Sequence, residues 1–243
     1  MLAGSLGQLG YFMGDKPLRI TDSNPKGFFE DYEIIRINEA LMNDAGAFPP
    51  IAPLQGWLAA THREVQVVPG RALGWRIRAQ VARQPYCFKD PRFCYTLQAW
   101  RPFLEDAMVL CIFREPARTA NSIMKECARP IYGDLGMTFE RAMKLWTLMY
   151  SHALDHCRAG STVAFFHYQQ LFNGSAADRL KTLLNAEIDH DFPDPALQHA
   201  PATGPVGPDA LKLYDHLCSL AGYTPTAASP PDPTGAESSS PLS

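Results

Sequence analysis

The chain has 243 residues, which is long enough for one domain with a substantial core but short for two. Hydrophobic residues make up 46% of it and charged residues 19%, a balance typical of a globular protein rather than a disordered one. The formal net charge of −3 argues against a nucleic-acid-binding protein, which usually carries a basic patch, but it is compatible with an anionic ligand held by one well-placed arginine.

The six cysteines are scattered, without a CxxC pair or the spacing of a zinc site. This pattern suggests neither a metal centre nor a disulfide framework, and reduced cysteines are typical of the cytoplasm. The opening segment MLAGSLGQLGYFMGD lacks the basic stretch and continuous apolar run of a signal peptide. No stretch reaches the roughly 20 apolar residues of a membrane-spanning helix. We therefore expect a cytoplasmic protein that does not contact a membrane.

The first third of the sequence is predicted to be helical. Apolar residues at three- and four-residue spacing predict helices over residues 2–12, 28–41 and 71–84. Gly14 ends the first of them, and the loop 22–27 that follows is dense in turn-forming residues. Residues 45–70 are interrupted by proline and glycine and fit no single element.

Strands and helices alternate in the middle of the chain. Short apolar runs predict strands over residues 86–88, 108–113 and 162–166. The second run, MVLCIF, is continuously apolar and contains β-branched residues, as expected of a strand that is buried on both faces. Helical patterns lie nearby, over residues 96–104, 117–128 and 139–157. This alternation predicts βαβ units and therefore an α/β fold with a parallel sheet.

The last part of the chain is predicted to contain two helices, over residues 176–185 and 208–221. From Thr224 onward the sequence is rich in proline, serine and threonine and poor in apolar residues, which is typical of disorder. We therefore predict one domain over residues 1–223 and a disordered tail over 224–243.

The segment AMVLCIFREPARTANSIMKE carries the strongest indication of chemistry. Arg114 directly follows a predicted buried strand, Pro116 suits the first turn of a helix, and Ser122 lies within that helix. Ligands of open parallel sheets gather at the carboxyl ends of the strands, where a guanidinium fork and a hydroxyl can bind a phosphate. In the alternative interpretation, Arg114 pairs with a neighbouring carboxylate and Ser122 is a surface residue.

This strand–Arg-x-Pro–helix–Ser pattern resembles the 3′-phosphate site of sulfotransferases that use 3′-phosphoadenylyl sulfate (PAPS). In that family the equivalents of Arg114 and Ser122 hold the 3′-phosphate of the cofactor. Further stretches resemble the bacterial branch of the family, and they run in the same order along residues 1–173. These stretches are NPKGFFED at 24–31 with INE at 37–39, KDPR at 89–92 and, more weakly, FHYQQL at 166–171.

The resemblance implies a three-layer fold of the P-loop nucleoside triphosphate hydrolase type, with a parallel sheet flanked by helices. It implies transfer of a sulfuryl group from PAPS to a hydroxyl or amine of a small molecule or glycan, with no metal. A nucleotide kinase of the same architecture is disfavoured, because the sequence contains no GxxxxGK[ST] motif. No segment indicates the acceptor or an oligomeric state.

One part of the family pattern has no counterpart here. The family begins with a strand and a Gly/Ser/Thr-rich loop, whose backbone N–H groups hold the 5′-phosphosulfate. In this sequence the helix that should follow the loop starts at the first residue. We therefore expect a fold that lacks the first strand and phosphate loop, through an internal start or a truncated copy, and is weakly stable at the resulting gap in the sheet. The alternative function is an inactive remnant of the sulfotransferase fold.

Three further residues are candidates for the transfer chemistry, which needs a base for the acceptor proton and cations for the transferring group. Glu30 is the candidate base, or an acid that serves a helix N-terminus. Lys89 as a catalytic cation and Lys26 as a cofactor-binding cation are candidates for contacting sulfate or phosphate oxygens, or are solvated surface lysines. Asp90 and Arg92 are expected to brace each other.

A histidine pair is the only suggestion of a metal site. His152 and His156 lie four residues apart, but the intervening Ala-Leu-Asp lacks the glutamate of HExxH. No metal is therefore expected. Trp100, Trp146 and Tyr150 are predicted to be core aromatics.

Overall fold

The computed structural model describes residues 2–18, 24–46, 67–132, 134–158, 162–186, 188–189, 191–197 and 200–225. In chain order these contain α1 (Leu2–Ser5), α2 (Tyr32–Asp44), α3 (Arg71–Val81), α4 (Phe93–Trp100), β1 (Val109–Phe113), α5 (Pro116–Cys127), α6 (Phe139–Arg158), β2 (Val163–His167), α7 (Ala177–Leu184) and α8 (Pro208–Ala221). The fold is mixed α/β and mostly helical. None of the described helices has the length and apolar character needed to cross a bilayer.

The sheet consists of β1 and β2, which run parallel with Val109 opposite Val163 and Phe113 opposite His167. The prediction of a parallel pair joined by helices is therefore confirmed. Because the register ends with Phe113 opposite His167, the residues that follow the two strands emerge at the same edge of the sheet.

Helices cover both faces of this small sheet. Successive side chains of a strand point to opposite faces, and here the two sets belong to two different apolar clusters. The cluster that includes α1 and α7 contains Leu110, Ile112, Ala164 and Phe166. The cluster that includes α5, α6 and α8 contains Cys111, Phe113, Val163 and Phe165.

β1 is less buried than its sequence predicts. Phe113 is fully buried, but residues 109–112 are only half-buried. The reason is that β1 forms a ladder with one strand, β2, among the described residues. A strand with neighbours on both edges would be more completely shielded.

The prediction of a strand at residues 86–88 is wrong. Tyr86 forms an isolated parallel bridge with Phe12, in which the Phe12 N–H donates to the Pro85 carbonyl at 2.7 Å and the Cys87 N–H donates to the Phe12 carbonyl at 2.9 Å. Pro85 has no N–H with which to extend this ladder, and Lys89 ends the apolar run.

The prediction of one helix over residues 2–12 is also wrong. α1 ends at Ser5, and a 3₁₀ turn (Gly7–Leu9) follows and ends at Gly10 with φ of 75°. The glycines in this segment weaken a helix. They leave the chain free to turn, so that Phe12 reaches Tyr86.

α2 begins later than predicted because Asp31 caps it. The Asp31 carboxylate accepts the backbone N–H groups of Glu33 at 2.8 Å and Ile34 at 3.2 Å, and also that of Lys16 at 2.5 Å. Gly14 lies against this carboxylate with φ of 110°, and a Cβ at Gly14 would lie 2.2 Å from the Asp31 Cγ. Only glycine fits at this position. The close approach of Gly14 and the hydrogen bond from the Lys16 N–H to Asp31 therefore fix the segment ahead of α2 against the N-terminus of the helix.

A third apolar cluster joins α2, α3 and α4 around Ile37, Ile77 and Trp100. α3, α4, α5, α6, α7 and α8 lie where the sequence predicts them to within a few residues, and the bounds of α8 are the predicted ones. Most of the unassigned segment 45–70 and residues 226–243 of the predicted tail lie outside the described residues.

Candidate anion-binding site

Arg114 lies where the sequence predicts it, directly after the last residue of β1. α5 begins two residues later, with Pro116 at its first position. Proline is favoured there because its missing N–H would have no partner in the helix and its fixed φ suits the first turn. Ser122 follows within α5 and is half-buried. The local structure therefore matches the strand–Arg-x-Pro–helix–Ser pattern.

The Arg114 guanidinium is partly buried. No carboxylate among the described residues forms an ion pair with it. The guanidinium lies over the Tyr168 ring, with 5.2 Å between Cζ and the ring centroid, and donates from Nη2 to the Arg118 carbonyl at 3.4 Å. The neighbouring Glu115 carboxylate lies 3.5 Å from the Arg118 Nε. Burial lowers the pKa of Arg114 from its ordinary value. The interpretation that Arg114 pairs with a carboxylate is therefore not supported.

Tyr168 is positioned by His167, the last residue of β2. His167 Nδ1 accepts the Gln169 N–H at 3.2 Å, and the Gln170 side chain accepts the His167 N–H at 2.8 Å. These two bonds cap the 3₁₀ turn (Tyr168–Leu171). The aromatic platform beneath Arg114 is therefore held at the edge of the sheet where β2 ends.

His167 is fully buried and is fixed from the side of α8. Its ring stacks on Tyr223 with 3.8 Å between centroids, and its Nε2 lies 3.1 Å from the Tyr214 hydroxyl. Burial is the main cause that lowers the pKa of His167 to about 4, so the ring is neutral at pH 7. Since Nδ1 accepts a hydrogen bond, the proton lies on Nε2. His167 has no role among the sequence predictions; the available signal is its position directly after the predicted strand 162–166, like that of Arg114 after the predicted strand 108–113.

The chain segment at residues 200–203 lies against the first half of α5. Arg118 donates to the Ala200 carbonyl at 2.6 Å, and Asn121 donates to the carbonyls of Pro201 at 3.1 Å and Thr203 at 2.7 Å. Ser122 has no hydrogen bond to any described residue. This segment therefore occupies the two polar side chains next to Ser122 and leaves the hydroxyl of Ser122 without a described partner.

Glu30 and Lys89, 59 residues apart, form an ion pair. The Glu30 side chain is 10% exposed and that of Lys89 is 43% exposed. Glu30 does not serve the N-terminus of α2, because Asp31 has that role. Phe29, just before Glu30, has φ of 55°, a left-handed conformation that is costly for a bulky residue and often marks a functional site. The structure thus joins the candidate base to a candidate cation.

Lys26 contacts neither member of this ion pair. Its Nζ donates to the Phe192 carbonyl at 2.6 Å and lies 3.8 Å from the Asp194 carboxylate. It also lies 5.1 Å from the Phe192 ring centroid. Lys26 therefore ties its own loop to the segment at 191–195, and an anionic ligand would have to compete with those partners.

Asp90 and Arg92 brace each other, as the sequence predicts. Asp90 Oδ1 accepts the Arg92 side chain at 3.0 Å and its backbone N–H at 2.9 Å. Asp90 Oδ2 accepts the Asn38 amide at 2.9 Å. Asn38 Oδ1 in turn accepts Thr96 and Trp100, each at 2.8 Å. Sequence reasoning gave Asn38 no role, although a buried amide on the apolar face of a predicted helix requires partners.

The candidate residues fall into three sets: Arg114 and Ser122, the Glu30–Lys89 pair, and Lys26 by itself. No hydrogen bond, ion pair or ring contact within the described part of the chain joins Arg114 and Ser122 to Glu30, Lys89 and Lys26. The described surface has a groove of about 460 Å³ near Tyr223 and another of about 340 Å³ beside α3. Neither groove is lined by any of these five residues.

The two histidines of α6 have other partners. The His152 ring packs edge-on against Tyr95 with 5.0 Å between centroids, and His156 Nε2 lies 2.8 Å from the Cys94 carbonyl. Among the described residues, no group of three or more His, Cys, Asp or Glu side chains is placed to hold a metal ion.

Comparisons of the chain with protein families, with curated proteins and with solved structures find no match.

Proposed function

We propose that this chain is a PAPS-dependent sulfotransferase with a P-loop nucleoside triphosphate hydrolase-like fold. The observation that carries the proposal is Arg114, a partly buried guanidinium at the carboxyl end of a parallel strand with no carboxylate partner among the described residues. Burying a charge is costly unless an opposite charge compensates it. A ligand phosphate at the edge of the sheet would supply that charge.

Arg114 and Ser122 would hold the 3′-phosphate of PAPS. The planar fork of Arg114 can donate two parallel hydrogen bonds to phosphate oxygens. The Ser122 hydroxyl, which has no described partner, can donate a further one. Tyr168 keeps the guanidinium in place before the ligand arrives, which reduces the entropy lost on binding.

Glu30 and Lys89 would carry the transfer step. A new S–O or S–N bond forms to the acceptor hydroxyl or amine, and the S–O bond to the 5′-phosphate breaks, releasing adenosine 3′,5′-bisphosphate. Glu30 accepts the acceptor proton, and Lys89 moves from Glu30 to the sulfuryl oxygens, whose charge it offsets. Lys26 would contact the cofactor after leaving the Phe192 carbonyl. The acceptor is a small molecule or a glycan.

A second candidate is a nucleotide-binding protein without turnover. The observation that favours it is the Glu30–Lys89 ion pair, which occupies the candidate base and its cation together. The described residues show no contact between this ion pair and Arg114, which also favours a protein that binds the nucleotide without turnover. Such a protein would bind the nucleotide through Arg114 and Ser122 but would not transfer the sulfuryl group.

Transfer of labelled sulfate from PAPS to a panel of phenols, amines and oligosaccharides tests the proposal. We expect product formation with at least one acceptor and a loss of about 100-fold or more in Glu30→Gln, the scale of general-base catalysis. Glu33→Gln is the matched control. Glu33 lies in the first turn of α2, three residues after Glu30, and forms a comparable ion pair with Arg76 of α3. Nucleotide binding without transfer to any acceptor would favour the second candidate.

A further inference from the structure

A groove of about 340 Å³ lies beside α3, away from the residues of the proposed transferase site. Its lining includes Gly70, Arg71, Gly74, Trp75, Arg78 and Phe103. A Cβ placed on Gly74 would lie 3.2 Å from the Phe103 ring. The ring therefore packs directly on the backbone of α3 and closes the floor of the groove.

Trp75 leaves a large indole surface open to water. Trp75 is 65% exposed, although burying a tryptophan side chain stabilises a fold more than burying most other side chains does. Arg71 and Arg78 lie four residues before and three residues after it, so the three side chains share one face of α3. The groove therefore combines an exposed aromatic face with a guanidinium on either side.

The charges of this face are not compensated within the described residues. Neither Arg71 nor Arg78 forms an ion pair there, and the Arg78 guanidinium lies 5.3 Å from the Phe103 ring centroid. By contrast, Arg76 on the same helix pairs with Glu33 at 2.8 Å. The sequence of α3, RALGWRIRAQV, contains no acidic residue. The groove is thus complementary to an anion.

We propose that this groove binds an acidic saccharide, with one sugar ring on Trp75 and its carboxylate or sulfate groups on Arg71 and Arg78. The C–H groups on the face of a sugar ring are slightly positive and match the negative face of an indole. Carboxylate and sulfate oxygens match the guanidinium fork. The volume lies within the range of ordinary ligand sites, and the concave shape suits a small ring better than a membrane surface. This proposal does not depend on the proposed transferase activity.

The test is a titration of the full chain with a sulfated disaccharide that contains a hexuronic acid, followed by NMR of the tryptophan indole N–H signals. Comparison with Trp75→Phe assigns the signal of Trp75. We expect this signal to shift with the acidic disaccharide and not with its neutral, desulfated and carboxyl-reduced counterpart. We expect Trp75→Ala and the double variant Arg71→Gln/Arg78→Gln each to weaken binding at least about tenfold, since charge-assisted bonds to guanidinium are strong.

Arg76→Gln is the matched control, because it removes the same charge from the same helix at a residue whose partner is Glu33. All substituted side chains of the groove are exposed, and circular dichroism checks that each variant is folded. The proposal is overturned if the acidic disaccharide leaves Trp75 unshifted or binds no better than the neutral one. It is also overturned if Arg76→Gln weakens binding as much as the double variant does. A further contradicting result would be that adenosine 3′,5′-bisphosphate or anionic lipid vesicles shift the Trp75 signal and the disaccharide does not.

Discussion

At the scale of single residues, Arg114 differs in its surroundings from several other arginines of the chain. Arg76, Arg83 and Arg92 each pair with a carboxylate, whereas Arg114 lies over an aromatic ring and donates to a main-chain carbonyl. A partly buried cation that forms no ion pair with a carboxylate of the described residues is poised to bind an anion. This contrast, rather than the presence of an arginine at a strand end, is what the structure adds to the sequence pattern.

Asp90 is predicted to be a main support of the region between α2 and α4. Asp90→Ala removes the acceptor of the buried Asn38 amide and one of the two carboxylates that Arg92 contacts, since Arg92 also pairs with Glu39 at 3.0 Å. Removing one partner of a buried charged pair costs about 3–5 kcal/mol, and urea unfolding measures this loss. The control Asp15→Ala breaks an exposed pair with Arg83, and we expect its unfolding midpoint to stay close to that of the unsubstituted chain. Similar midpoints for the two variants would contradict the role given to the Asp90 network.

At the scale of elements, Gly14 is predicted to be essential to the start of α2. Gly14→Ala places a Cβ against the Asp31 carboxylate at a backbone conformation that disfavours side chains. We expect a destabilisation of about 3 kcal/mol or more from strain and overpacking together. Gly10→Ala is the control, because Gly10 also has positive φ but has nothing within 4 Å of the added Cβ. It should cost about 1 kcal/mol from backbone strain alone. Equal losses in thermal unfolding would show that contact with Asp31 contributes nothing.

His167, the last residue of β2, contacts Tyr214 of α8. We predict that it makes the stability of the fold depend on pH. Its pKa is about 4 in the folded chain, against an ordinary value of 6.5, mainly because of burial. The unfolded chain therefore binds the proton more readily, and stability falls as the pH drops from 6.5 towards 4. The contribution of His167 to the free energy of unfolding should be about 2 kcal/mol smaller at pH 5 than at pH 7.5.

Urea unfolding at these two pH values checks this expectation. The matched variant His167→Asn keeps a side-chain acceptor near Nδ1 but removes the titrating ring, so it should lose about that much of the pH dependence. A variant with the pH dependence of the unsubstituted chain would contradict the assignment of this proton to His167.

Some elements could be predicted from the sequence because their signals are local. β1 and the first four residues of β2 are continuous apolar runs, and α8 carries Pro208 at its start and Gly222 just after its end. The segment before α2 could not be predicted in the same way. Its geometry depends on Gly14 meeting Asp31, a contact between residues distant in the sequence.

The candidate site was predictable to a similar extent. The placement of Arg114 and Ser122 follows from a strand, a proline and a helix in sequence order. The pairing of Glu30 with Lys89 depends on how two distant loops meet, and the platform formed by Tyr168 depends on the register of β1 with β2. The sequence contains all of these residues, but it does not show which of them contact one another.

At the scale of the whole molecule, the two-stranded parallel sheet places two segments of the candidate site at one edge. Arg114 follows β1, and Tyr168 follows β2, with α5, α6 and α8 packed on one face behind them. The register of the sheet therefore sets the distance between the guanidinium and its aromatic platform. This arrangement is the physical basis for proposing that the molecule binds a phosphate at this edge.

Calorimetric titration with adenosine 3′,5′-bisphosphate tests this account most directly. We expect the chain to bind it more tightly than adenosine 5′-monophosphate, which lacks the 3′-phosphate. We expect Arg114→Ala to weaken binding about 10- to 100-fold, the size of a charged hydrogen bond to phosphate. Arg129→Gln, which removes a charge just beyond the other end of α5, should bind as the unsubstituted chain does. A folded chain that does not bind the bisphosphate, or an Arg114→Ala variant that binds it equally well, would contradict the account.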